Sequence, residues 1–249
     1  MPRFFVRRNQ IDENKITILG DDAKHISRSL RMAVGDNVTV CDMQSVEYEC
    51  SLVGFLPDRV EAEILSSRAC DTEPPYRVTL YQALPKGDKF DTVIQKAVEC
   101  GVYEIVPFLS ERCVAKESSR EENKLSRRQR ISLEAAKQCG RGIIPYVKSA
   151  HSFSEMLKSA AEADIAIMCY EGDGTVSLKE ALGNAKRRLG NLENPSISIV
   201  IGSEGGFSLN EVEQARSAGL IPVGLGKRIL RTETAPSVAL SCLIYEFEL

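Results

Sequence analysis

The chain has 249 residues, is 43% hydrophobic and 27% charged, and carries a net charge of −3. That profile fits a globular protein with room for one large domain or two modest ones, and gives no global sign of nucleic-acid binding. No run of about 18 or more apolar residues exists, and "MPRFFVRRNQ" lacks an apolar stretch of signal-peptide length, so a cytoplasmic location without membrane contact is expected.

The first 70 residues read as short strands: "RFFVRR", "KITILG", "NVTVCD", "VEYECSLVGFL" and "RVEAEIL", parted by turns such as "VGDN" and "LPDR". One helical piece, "DDAKHISRSLRM", interrupts them, and the pattern suits a small β-barrel or sandwich. The polar, double-proline stretch "SSRACDTEPPYR" reads as a linker. Beyond it, strands and helices alternate. "RVTLYQAL", "EIVPFLS", "DIAIMCY", "SISIVIG" and "LIPVGLG" are strands; "KFDTVIQKAVECG", a polar segment from about Ser118 to Cys139, "SFSEMLKSAAEA", "SLKEALGNAKRRL", "SLNEVEQARSAG" and "SVALSCLIYEFEL" are helices. Aliphatic strands alternating with helices predict a mostly parallel sheet covered on both faces, hence an α/β domain over 72–249 after a β domain over 1–71. Eight cysteines without a C-x-x-C pair fit neither a zinc site nor a disulfide scaffold; reduced thiols and no metal are expected.

In such sheets ligands sit beyond the carboxyl ends of strands, and two loops compete for that place. In "IVIGSEGGFSLNEVEQA", Ser208 and Glu211 form a capping box, and Gly202, Gly205 and Gly206 permit close approach or positive φ. Amides at a helix start attract anions, yet the G-x-x-x-x-G-K-S/T phosphate loop is absent and Glu204 would repel a phosphate. Alone, the turn fits a tight connection as well as a site. The second loop, "GLGKRILRTETAPSVAL", places Lys227, Arg228 and Arg231 before a helix that Thr232 or Thr234 can cap. Those arginines suit surface charge or pairing with Glu204 or Glu233 as well as a site. The helix is apolar nearly all round, and should be buried in the core or against another subunit.

Together, "IGSEGGFSLNEVEQA" and "LGKRILRTETAPSVAL" resemble the signature of the 16S ribosomal RNA uridine-N3 methyltransferases, the ribosomal RNA small subunit methyltransferase E family. "RFFV", "HISRSLRMAVGD" and "EAAKQCGR" extend the likeness along the chain. Ser203 stands where that family usually has Pro, and Lys137 where an acid is common. The resemblance implies a SPOUT-class C-terminal domain tied in a trefoil knot, preceded by a PUA-like β-barrel. It implies S-adenosylmethionine held bent between loops around Tyr170–Gly172, Gly202–Gly206 and Leu225–Arg231. Tyr170, Glu171, Gly202, Glu204, Gly205, Gly206, Leu225, Gly226, Ile229, Leu230 and Thr232 are the cofactor-binding residues carried over. A sulfonium ligand without phosphate tolerates Glu204, for which an electrostatic role is hypothesised.

Methyl transfer to N3 of a uracil needs alignment and loss of the N3 proton. His25 and His151 do not adjoin the loops in sequence, so stabilisation of the uracil anion by Arg231 or Arg141 is preferred to a histidine base. Arg3, Arg7, Arg8, Arg28, Arg31, Arg127, Arg128 and Gln138 are the candidate RNA contacts. The implied partners are 16S rRNA, within the small ribosomal subunit, and a second copy docked through the knot domain and C-terminal helix. The rivals are another knotted RNA methyltransferase, acting on a ribose hydroxyl or a tRNA base, and a non-catalytic RNA-binding knot protein.

Overall fold

The computed structural model describes residues 1–44, 46–114 and 121–249. The chain forms two compact units, Met1–Glu73 with Ala136–Ile144, and Pro74–Ala135 with Pro145–Leu249.

The first unit holds β1 (Arg3–Phe5), β2 (Lys15–Leu19), α1 (Gly20–Lys24), β3 (Asn37–Cys41), β4 (Val46–Phe55) and β5 (Arg59–Ala69). They build a five-stranded sheet in the order β1-β3-β4-β5-β2, curled as a half-barrel. Only β1–β3 is parallel. Alternating positions of these strands point inward, as a one-sided sheet requires, and Phe4, Ile16, Ile18, Val38, Val40, Leu52 and Val60 fill the core with Ile26. The expected linker begins too early. Ser66–Ala69 continue β5, because Arg68 pairs with Glu47 on β4 and the Ser66 hydroxyl donates to Glu49 at 3.3 Å. Glu47 is also reached by Arg3 at 2.9 Å. Burial favours the protonated acid, but hydrogen bonds from Arg68 and Arg3 outweigh it and hold the Glu47 carboxyl below its usual range.

The second unit holds β6 (Arg77–Ala83), α2 (Lys89–Glu99), β7 (Glu104–Leu109), α3 (Glu121–Cys139), β8 (Tyr146–Val147), β9 (His151–Ser152), α4 (Phe153–Ala161), β10 (Ile165–Cys169), β11 (Val176–Ser177), α5 (Leu178–Leu189), β12 (Ser196–Ile201), α6 (Leu209–Ser217), β13 (Ile221–Gly224) and α7 (Ala235–Phe247). The last four residues of α3 cluster with the first unit. Its expected start at Ser118 lies outside the described residues. The strands form an eight-stranded, wholly parallel sheet in the order β11-β13-β10-β12-β6-β7-β8, with β9 also on β7. Strands such as Ile197–Ile201 are buried on both faces, which explains their largely aliphatic text. The two-residue strands β8, β9 and β11 are too short to leave a periodic signal in the sequence. α2 stops at Gly101, whose φ of +82° and closeness to Pro74 (2.6 Å from a built Cβ) admit no side chain. Among the described residues no helix is long and apolar enough to cross a membrane.

Since all strands run one way, the loops that follow β13, β10, β12, β6 and β7 emerge side by side along one edge of the sheet.

Candidate active site

β12 ends at Ile201 and breaks into the Gly202–Gly206 turn. Ser203 and Gly206 close it by a backbone bridge, Gly206 N–H to Ser203 O at 3.0 Å. The glycines answer to the protein's own packing. A Cβ on Gly202 would lie 3.1 Å from the Phe207 ring, one on Gly205 only 2.9 Å from Arg112 Cβ, and Gly206 has φ +64°. Arg112, after β7, also donates to Gly205 O at 3.1 Å. Ser208 then caps α6: its hydroxyl accepts from Glu211 N–H at 3.2 Å, and Glu211 accepts from Ser208 N–H at 2.9 Å. The same carboxylate takes Glu111 N–H at 2.8 Å, so one buried acid binds the helix start to the β7 loop.

Glu204 points toward the loop after β6. Lys89 Nζ donates to it at 2.8 Å and the Lys86 amide at 3.2 Å. Partial burial favours protonation, but the Lys89 hydrogen bond and the amides prevail, and the carboxyl is held below its ordinary range. Lys89 Nζ also stands 3.5 Å from Glu233 on the third loop.

That third loop, 225–234, is pinned from below. Thr232, 6% exposed, donates its hydroxyl to Gly202 O at 2.7 Å. Gln82, fully buried near the end of β6, donates to Thr232 Oγ1 at 3.0 Å and to Gly202 O at 3.3 Å. Thr232 is therefore no helix cap. Thr234 occupies the cap position of α7 without a side-chain bond, and Pro236 sits in the first turn. Arg231 projects outward, 82% exposed, with Glu233 at 3.9 Å; Ile229 is equally exposed. The middle loop, 170–175, starts where Tyr170 N–H donates to Val223 O at 2.9 Å, and Arg216 of α6 clasps its Asp173 and Gly174 carbonyls at 3.1 and 3.2 Å.

Residues 72–244 match the RNA methyltransferase domain family. Over its full length the chain is 34% identical to ribosomal RNA small subunit methyltransferase E of Bacillus subtilis, with 98% of that protein covered. The chain belongs to the ribosomal RNA small subunit methyltransferase E family. A solved member of that family from Neisseria gonorrhoeae, bound to S-adenosyl methionine, superposes with a TM-score of 0.83 at 32% identity, covering 98% of this chain and 97% of that one. A Legionella pneumophila methyltransferase in complex with the cofactor SAM gives the same TM-score at 27% identity, covering 98% and 96%.

Within this family member, Tyr170, Glu171, Gly202, Glu204, Gly205, Gly206, Leu225, Gly226, Ile229, Leu230 and Thr232 all lie on the three loops that the parallel sheet brings to one edge. Buried polar atoms concentrate there too. Among the described residues, four buried side-chain atoms lack a hydrogen bond: Gln82 Oε1, Ser203 Oγ, Glu233 Oε2 and His151 Nδ1. Three of the four belong to these loops or to the strand end beneath them; Glu233 Oε2 is paired ionically with Lys89 at 3.5 Å, which leaves Gln82 Oε1 and Ser203 Oγ as the hydrogen-bonding capacity that suits a ligand rich in N–H and O–H donors.

Other expected site residues are committed elsewhere. Arg141 belongs to the first unit and is 3% exposed; its Nη2 donates to Glu73 at 2.6 Å and its Nε at 2.9 Å. Glu73 also accepts the Gly142 amide at 2.8 Å, so Arg141 is paired with a carboxylate inside the first unit. Arg3 spends its charge on Glu47. Arg128 lies buried with its guanidinium 4.8 Å over the Phe90 ring, and Arg127 pairs with Asp91. Arg7, Arg8, Arg28, Arg31 and Gln138 are exposed. Lys137, the departure from the family pattern, is paired with Asp22 at 2.7 Å and stacks over Phe4. Gln82, Lys86 and Lys89 escaped the sequence reading. Only Gln82 left a trace, as a lone amide in an aliphatic strand.

Proposed function

We propose that this chain transfers a methyl group from S-adenosylmethionine to N3 of one uridine in 16S rRNA. The parallel-sheet unit would be the SPOUT knot and the first unit the PUA-like module that grips RNA. The observation that carries the reading is the cluster of three loops at one sheet edge, two of them joined at Gly202 by Thr232 and Gln82 and flanked by the exposed Arg231.

When bound, the cofactor supplies an electrophilic methyl on a sulfonium sulfur. The loops would hold it through backbone groups of Tyr170–Gly172, Gly202–Gly206 and Leu225–Leu230, with Thr232 locking the turn beneath. Glu204 contributes by way of Lys89, whose ammonium already balances its charge. Arg231 would face the uracil and stabilise the anion left when the N3 proton departs to solvent; with the cofactor bound, an N3–methyl bond would form as the sulfonium–methyl bond breaks, the electron pair leaving on sulfur as neutral S-adenosylhomocysteine. Its charge is available because its side chain is 82% exposed and its ion pair to Glu233 is long, at 3.9 Å.

Arg7, Arg8, Arg28 and Arg31 offer exposed cations for phosphates of the rRNA. The outer face of α7, with Tyr245 75% exposed, is the surface through which a second copy would dock. Calorimetry with S-adenosylmethionine, followed by transfer of labelled methyl to 16S rRNA, tests the reading. Saturable binding and one labelled site are expected. Absence of binding would remove the enzyme reading altogether, and methyl on a ribose oxygen would move the chain to a different chemistry.

A further inference from the structure

Gln82 is out of place by ordinary packing rules. It lies on the central strand β6 with Val78, Leu80, Tyr81 and Ala83, and is itself 0% exposed. Burying an amide there costs desolvation and rotamer freedom that an aliphatic side chain would not. Its register partner is Ile201, the last residue of β12, which sets the amide just below the glycine turn.

The hydrogen bonds fix how the amide is oriented. Its Nε2 has three acceptors around it, Ala83 O at 3.0 Å, Thr232 Oγ1 at 3.0 Å and Gly202 O at 3.3 Å. The Thr232 hydroxyl spends its own proton on Gly202 O at 2.7 Å. With that proton on Gly202, Thr232 accepts from the amide, and a flipped Gln82 would set its oxygen against the carbonyl oxygens of Ala83 and Gly202. The result is a directed chain, Gln82 to Thr232 to Gly202, with a second branch from Gln82 straight to Gly202. It ties the glycine turn, the third loop and the end of β6 to one amide.

We infer that Gln82 is a positioning residue for methyl transfer: through Thr232 it sets the separation between the Gly202–Gly206 turn and the loop that presents Arg231. This rests on the cofactor site proposed above. Gln82 is neither acid, base nor RNA contact. Its effect reaches the substrate through Thr232, next in sequence to Arg231, and through Gly202, the first residue of the turn. Loss of the amide leaves Thr232–Gly202 as the single remaining tie between the third loop and the turn, no longer held from β6, while the apolar packing of β6 stays in place.

The experiment compares wild type, Gln82→Met, Thr232→Val and the double variant, all near-isosteric, by S-adenosylmethionine calorimetry and by methyl transfer to 16S rRNA under saturating cofactor. Each single variant should weaken cofactor binding about tenfold to a hundredfold, because a buried carbonyl loses donors. The double variant should bind no worse than about threefold below the weaker single one, since both changes cut the same chain. With cofactor saturating, kcat should still fall while KM for RNA stays within about twofold, because Arg231 is misplaced rather than removed. Gln82→Asn, whose amide falls one methylene short, should lose affinity as Gln82→Met does, whereas Thr232→Ser, which keeps the hydroxyl, should stay near wild type.

A purely structural Gln82 would lower the urea midpoint yet leave affinity and kcat of the folded protein at wild-type values, and that result overturns the inference. Additive losses in the double variant would overturn it as well. If wild type itself fails to bind the cofactor, the fault lies with the proposed function. If Gln82→Met does not fold, the same comparison is read from Thr232→Val alone, where wild-type affinity and kcat would again refute the inference.

Discussion

Arg231 and Arg141 carry the same guanidinium and meet opposite fates. Arg141 is held by two hydrogen-bonding directions of Glu73 and is almost fully buried, whereas Arg231 reaches into solvent with only a long ion pair to Glu233 at 3.9 Å. We therefore expect Arg231→Ala to bind S-adenosylmethionine normally while methyl transfer falls by about a hundredfold or more, the scale on which single stabilising donors act. Arg141→Ala should instead lower stability, by roughly 3 kcal/mol in urea unfolding, because it strands a carboxylate whose other partners are backbone amides. Full turnover by Arg231→Ala would end its assigned role. The two arginines could not be told apart in the sequence, since both follow glycine-rich, basic text and their carboxylate partners are set by the fold.

The glycine turn is the element on which most of the site depends, and its outer brace is ionic. Glu204 has its carboxyl pKa lowered in the folded protein, chiefly by Lys89 against an opposing desolvation effect. A group with a depressed folded pKa gives stability above its unfolded value, about 4.3 for a glutamate, and loses it as pH falls through the folded value. Cofactor affinity should therefore be flat near neutrality and decline only on acidification to below the ordinary glutamate range, since the folded carboxyl is held below it. Glu204→Gln should bind several-fold more weakly near neutrality and show less of that decline; a variant with unchanged affinity and the same pH profile would separate Glu204 from the site. Glu47 in the first unit follows the same sign, its acid form being resisted by Arg68 and Arg3. Glu47→Gln should thus destabilise that unit most at neutral pH and least in acid, as read by urea titration at each pH.

These elements differ in how much of them the sequence disclosed. The Ser208–Glu211 cap was legible because it is local, four residues that bond to one another. The strand–helix alternation was legible because burial on both faces leaves largely aliphatic runs. What holds Glu204 was not: Lys89 is 115 positions away and became a neighbour only when β6 and β12 paired. Gln82 and Thr232, 150 positions apart, met for the same reason. Long-range partners among polar residues carry no periodicity for a sequence to betray.

For the molecule as a whole, two compact units divide the work differently from a simple cut in the chain. Residues 136–144 return to the first unit, so a polar helix that looks like part of the α/β rhythm ends among the residues of the β unit. The same return explains why Lys137 and Arg141 find their acids, Asp22 and Glu73, in the first unit. We expect a fragment spanning 74–249 alone to be less stable than the full chain, because it would expose Arg141 and Ala136 without their partners; an equal unfolding midpoint would argue otherwise.

The most direct test of the proposed chemistry is mass mapping of modified nucleosides in 16S rRNA from cells with and without this gene. Loss of a single N3-methyluridine, restored by the wild-type protein and not by Arg231→Ala, is the expected result. An unchanged N3-methyluridine content, or loss of a ribose-methylated nucleoside in its place, would contradict it.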